Sequence, residues 1–284
     1  MNKVILLLLF FIFQNNAFAC GEDGGGFMPE NDMYISVDAE AQNDMTEERF
    51  NEIIDKVADV YRPIIKKKWG ILKITRKWKN GTVNANALRL GPVYLVNMYG
   101  GLARHKDITD DGFALVVCHE LGHHLGGAPK NSFPMKWASN EGQSDYWGQM
   151  KCFRKVFGND DNRTIVKNMD VNPYAAVMCE KAWTNEDDIA LCKRSAMAGL
   201  SLAKLLSFGR ATVSFAAPDP TVVRETYDRH PAAQCRLDTY FQAGLCDISE
   251  NEDVSKKDPN VGTCNRRDGH ELGIRPLCWF KPKA

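Results

Sequence analysis

Apolar residues Phe50, Ile53, Ile54, Val57, Val60 and Tyr61 recur at the three-to-four-residue spacing of one helix face. Asp44 or Thr46 can cap that helix, and Pro63 is expected to kink or end it. The pattern then changes period. Ile71 to Trp78 reads as a strand, which Asn80-Gly81 is expected to turn into a hairpin partner beginning at Thr82. Val93-Tyr94-Leu95-Val96 supplies a further strand, and Gly100-Gly101 breaks the chain. One of these strands is expected to offer the sheet edge that holds an extended peptide. A second apolar helix follows from Asp110-Asp111 through Phe113, Leu115, Val116 and Val117, with Gly126, Gly127 and Pro129 as its stop. After a loop around Asn131 to Trp137, a third helix is expected to open near Ser139 and run to Phe157. Helical patterning recurs at Tyr174 to Cys179, Glu186 to Ser207 and Ala233 to Ala243, while the C-terminal tail shows little periodicity.

The second helix carries the chemistry. It contains Cys118-His119-Glu120-Leu121-Gly122-His123-His124, a His-Glu-x-x-His motif. Four helical residues turn through about 400°, so His119 and His123 project from nearly one face and can share a metal ion. Glu120 lies roughly 100° round the helix, where it can serve a water without ligating the metal. His124 points away from that face and is expected to be structural, as are His105 and His270, which have no partner in sequence.

Two histidines and a water leave a catalytic zinc one protein ligand short. A third histidine at the position six residues after His123 would suit one class of zinc peptidases, but Pro129 stands there. Asn140-Glu141-Gly142-Gln143-Ser144-Asp145 instead places carboxylates Glu141 and Asp145 one turn apart on the next helix. Glu141 can complete the ligand set, and Asp145 can accept the N–H of a ligand histidine.

Four blocks in order now resemble the zinc endopeptidases of the CAAX prenyl protease and HtpX type, within the Glu-liganded zincins. They are Asn84-Ala85-Asn86-Ala87 with Gly91, the His119 to His123 motif, Glu141 to Asp145, and His230-Pro231 with Arg236. The resemblance implies that His119, His123 and Glu141 ligate zinc, that Glu120 is general base and then acid, and that His230 lies near the metal. Candidates to face the oxyanion are His230, Tyr227, Tyr240 and Arg236. The membrane helices of the integral members are absent, so the resemblance implies an exported relative whose substrates are not those of the membrane enzymes.

Composition places that chemistry in a compartment. Lys3, the apolar run Val4 to Phe13 and Ala17-Phe18-Ala19 form a secretory signal over 1–19, too short in its apolar part to span a bilayer. Cys20 follows the cleavage site and is a possible lipid anchor, and 20–43 reads as a Gly-rich tether ahead of a single domain over 44–284. Export makes disulfides the expected state of the other eight cysteines, and the lack of any Cys-x-x-Cys excludes a zinc ribbon or thioredoxin-type site. A formal net charge of zero gives no footprint for nucleic acid.

The expected fold is α+β and zincin-like, a small twisted sheet packed on two zinc-bearing helices with a mainly helical, disulfide-stapled C-terminal part. The expected function is zinc-dependent hydrolysis of peptide bonds in extracytoplasmic proteins or peptides, in the periplasm or outside the cell. Two other readings stand beside it. One is a non-catalytic zinc protein acting through its surface; the other is a latent enzyme or envelope quality-control factor closed by its own loop.

Overall fold

The computed structural model describes residues 26–282 and has an α+β architecture with a small mixed sheet. The expected signal segment 1–19 and Cys20 lie outside the described residues. In chain order the elements are α1 (Glu47–Lys67), β1 (Ile71–Lys77), β2 (Ala85–Leu90), β3 (Val93–Tyr99), the short α2 (Gly100–Ala103) and α3 (Asp110–Leu125). Next come α4 (Glu141–Trp147), a π-helical stretch (Gly148–Phe153) and α5 (Arg154–Phe157), which run on as one rod. The rest is α6 (Asn162–Lys167), α7 (Pro173–Ala182), α8 (Glu186–Leu206) and α9 (Ala233–Gly244), followed by an irregular tail with a single 3-10 turn at Arg266–Asp268.

Thr46 caps α1 by accepting the Arg49 N–H, and the helix runs through Pro63 to Lys67 rather than ending or breaking there. The proline ring and the Asp59 carbonyl it deprives of a donor both belong to exposed residues, so water can serve that carbonyl. The sheet also departs from expectation. The chain turns at Trp78-Lys79, where Asn80 N donates to the Lys77 carbonyl, rather than at Asn80-Gly81, and β1 and β2 are not paired; the strand order is β1-β3-β2, with β3 parallel to β1 and antiparallel to β2. The tight hairpin is β2–β3, closed across Gly91-Pro92 with Leu90 opposite Val93. Gly91 adopts φ +56°, a conformation that glycine reaches without steric cost. β3 buries Tyr94, Val96 and Met98, so the most apolar strand takes the centre and displaces the pairing that the local turn favoured.

α1 and α3 pack on the sheet and on each other, joining Phe50, Ile54, Val57, Val96, Phe113 and Val117 in one core. Full burial of each such side chain is worth roughly 1.5–3 kcal/mol. Every residue of α3 from Gly112 to His124 is buried, which marks it as the central helix, with α4, the π stretch and α8 covering its far side. Disulfides join Cys118–Cys152, Cys179–Cys192, Cys235–Cys278 and Cys246–Cys264. Cys235–Cys278 holds the irregular tail against α9, and Cys246–Cys264 closes a loop within the tail just past that helix.

One boundary is corrected. The described part of the 20–43 segment is no tether at its start, because Gly26, Phe27 and Met28 are buried against β2 and the core.

Candidate metal centre

α3 starts on Thr109, whose hydroxyl accepts the Gly112 N–H, with Asp110 and Asp111 in the electropositive first turn. Asp111 also takes a two-pronged bond from Arg194 of α8, at 2.8 and 2.6 Å, which fixes the helix along its length. α4 starts on Asn140, whose side chain accepts the Gln143 N–H. The two helices cross where Gly122 faces Ser144. A Cβ on Gly122 would come within 2.8 Å of the Ser144 carbonyl oxygen, so only glycine allows this approach. The Cys118–Cys152 bridge ties α3 to the π stretch one residue from His119.

This crossing brings His119, His123 and Glu141 together as a fully buried group able to hold a metal ion. Glu141 Oε2 lies 3.3 Å from His119 Nε2, and Glu141 Oε1 lies 3.6 Å from His123 Nε2. Each ring is oriented by its other nitrogen. His119 Nδ1 is 2.7 Å from Asp145 Oδ1, and His123 Nδ1 is 2.8 Å from the Ser139 carbonyl oxygen and 3.0 Å from Ser144 Oγ. A carboxylate and a carbonyl only accept, so both Nδ1 atoms carry hydrogen and both Nε2 atoms can present lone pairs to one point.

Satisfaction of polar groups gives a separate test of fit. His119 Nε2, both oxygens of Glu141 and both oxygens of Glu120 are buried without a hydrogen-bond partner among the described residues. Orphaned buried polar atoms are costly, and a cation between His119 Nε2 and the Glu141 carboxylate would satisfy three of these five. The donors, two imidazoles and a carboxylate, suit zinc.

Electrostatics follow from burial and from neighbouring charge. Burial pushes the Glu120 carboxyl up to about 8, against the partial opposition of His119. Burial works to lower His119, but Asp145 and Glu141 outweigh it and raise the imidazole to about 9. His123 is lowered by burial to about 4. Glu141 is held well below the usual carboxylate range: burial opposes ionisation, and the surrounding histidines more than offset it. A divalent cation would take the place of the proton that His119 otherwise holds and would favour the ionised form of Glu120.

Asp145 anchors a second layer. Arg236 grips it with Nε–Oδ2 and Nη2–Oδ1 contacts of 2.7 Å each, and the Tyr240 hydroxyl donates to Oδ1 at 2.5 Å. Arg236 and Tyr240 are thereby committed to orienting His119 through Asp145, which corrects their expected place facing an oxyanion. His230 does approach the centre, with Nε2 3.6 Å from Glu141 Oε2 and 2.8 Å from the Gly26 carbonyl oxygen. It does not belong to the His119, His123 and Glu141 group. Tyr227 is exposed, and its backbone, not its ring, meets the site through a 3.3 Å bond from Asn140 Nδ2.

The remaining histidines lie apart from this centre. His124 is buried on the opposite side of α3, stacked on Trp137 and bonded to the Leu95 carbonyl. His105 pairs with the Asp107 backbone, and His270 with Asn265. Pattern reading missed Phe27, whose ring stands edge-on to His119 at 5.1 Å, and Ser139 and Ser144, which orient His123. No periodicity marks these residues, since Phe27 follows a glycine run and the serines act through tertiary contact.

No protein-family model, curated protein or solved structure matches this chain. Among the described residues no helix is long and apolar enough to cross a membrane.

Proposed function

We propose that this chain is a zinc-dependent endopeptidase of zincin type, acting on proteins or peptides outside the cytoplasm. The observation that carries this reading is the placement of Glu120, a buried carboxyl with no hydrogen-bond partner among the described residues, beside a two-histidine, one-carboxylate group. A site that only held metal for stability would have no use for it. Four disulfides fit an oxidising compartment.

His119, His123 and Glu141 would hold the ion, and zinc when bound supplies Lewis acidity that makes water a nucleophile near neutral pH and polarises a carbonyl. The chain's own groups do the rest. Glu120 takes the proton of the water that attacks the scissile carbonyl and returns it to the departing amine. His230 Nε2–H, which donates to a peptide carbonyl in the folded chain, donates to the substrate carbonyl oxygen as charge develops there. Asp145, with Arg236 and Tyr240, keeps His119 in the ligating tautomer.

The test is zinc content together with hydrolysis of a diverse peptide mixture. The mature protein should bind one zinc and cleave internal bonds, and a chelator should abolish cleavage. Glu120→Gln should keep zinc and lose at least about a hundredfold in turnover, because only the proton carrier is removed. Cleavage at the wild-type rate by that variant would sink the mechanism.

A further inference from the structure

We propose that Gly26–Met28 fill the peptide groove of the metal centre as a built-in plug, so that the folded chain is latent and an extended peptide must displace them to reach the metal. This rests on the peptidase reading above.

β2 is an edge strand, and the chain's own segment lies along its entrance. Phe27 N donates to the Ala85 carbonyl at 2.7 Å, and Met28 N donates to Asn84 Oδ1 at 2.9 Å. The same direction continues further along, where Ile35 N donates to Gly81 O and Tyr34 bridges Thr82 antiparallel. The other side of the segment faces the site. Its Gly26 carbonyl accepts from His230 Nε2 at 2.8 Å, and its Phe27 carbonyl accepts from Arg236 Nη1 at 2.8 Å. The backbone bends at Phe27 and Met28, but it is held as a bound peptide is held, on one flank by the start of a strand edge and on the other by side-chain donors beside a catalytic group.

Side chains complete the closure. The Phe27 ring stands edge-on to His119, and the Arg236 guanidinium lies 4.5 Å from its centroid. His119, Glu120, His123 and Glu141 all have zero exposure, which no substrate can reach unless something moves. Among the described residues no disulfide lies N-terminal to Cys118, and beyond Met28 the chain rises to the surface at Glu30 and stays half-buried or exposed through Asn43. The donors it uses, His230 among them, are those a substrate would claim, so plug and substrate exclude each other. The site that Phe27 fills takes a large apolar side chain, which defines the substrate class as extended peptides with an aromatic or similarly bulky apolar residue next to the reacting bond.

Hydrogen exchange on the full mature, zinc-loaded protein tests this directly. A short phenylalanine-containing peptide hydroxamate, which seeks both zinc and the groove, should speed exchange of the Phe27 and Met28 amides while α3 stays protected. Unchanged or slowed exchange at those two amides with the hydroxamate bound would overturn the plug. Gly26→Val gives a second arm. A Cβ there would come within 1.7 Å of the Ala85 carbonyl oxygen, so the segment must leave while every site residue stays in place. In a variant that keeps its four disulfides and its zinc, hydroxamate affinity and the rate of zinc withdrawal by chelator should each rise about tenfold or more, as expected when a small open fraction becomes dominant. Wild-type values for both in that variant, or hydroxamate binding to neither protein, would also overturn the plug. Absence of zinc from the wild-type protein would instead count against the metal reading itself.

Discussion

A single carboxylate, Asp145, receives His119, Arg236 and Tyr240 in a site without solvent. Burial raises the cost of ionising it, yet Arg236 and His119 hold it below its ordinary range. Asp145→Asn keeps the shape but offers one acceptor oxygen where two served, and it removes the charge that orients His119. Zinc affinity should fall about 10–100-fold, as when a ligand histidine loses its carboxylate partner. Competition with a chromogenic chelator measures this, and equal affinity would show that Asp145 does not orient the ligand. His230→Ala separates the two residues' parts: it should retain zinc and lower turnover about a hundredfold if His230 serves the oxyanion. Retained turnover would return His230 to a structural role. At this scale the His119–Glu120–His123 constellation is legible because helix geometry alone faces the two rings. Arg236 and Tyr240 are not, since they reach Asp145 from 91 and 95 residues away.

The ligand set exists only because two helices approach more closely than side chains ordinarily permit. Gly122 faces the Ser144 backbone, which cannot swing aside as a flexible side chain would. Gly122→Ala should therefore push α4 outward by a few tenths of an ångström, move Glu141 off the histidines, and destabilise the fold by about 1–3 kcal/mol. Thermal unfolding and zinc titration read the two effects separately; a variant as stable and as zinc-avid as the parent would contradict the crossing. Element existence was mostly legible, including the rod that begins at Glu141 and the long α8. Pairing was not. The chain does turn after β1, at Trp78-Lys79, but a turn specifies only a change of direction, while the neighbour of each strand is chosen by which apolar face the core can bury.

Lys151, on the π stretch and 2% exposed, donates to the Ser249 carbonyl. Burial is the leading cause that lowers its ammonium from 10.5 to about 8, with Arg154 adding to the shift and Glu252 opposing it. The native protein thus releases this proton near pH 8, whereas the unfolded chain keeps it until about 10.4. Between those values the unfolded state binds more protons, so this group makes stability rise with pH. Lys151→Met should flatten that rise, and urea unfolding at about pH 7.5 and about pH 9.5 measures it in both proteins. Equal pH slopes would show that the ammonium is not desolvated.

Sequence by itself determined the chemistry that depends on near neighbours along the chain: two histidines one turn apart with a glutamate between, a carboxylate pair on the next helix, and eight cysteines whose pairing it left open. These are local because a helix converts spacing into direction without help from the rest of the molecule. Tertiary structure alone decided the strand order, the four disulfide partners, the convergence on Asp145 and the placement of Phe27 over His119. Apart from the β2–β3 hairpin, each of these joins residues 13 to 95 positions apart. Their choice rests on which surfaces bury together and which polar groups find partners, and no short window of sequence contains both sides of such a contact.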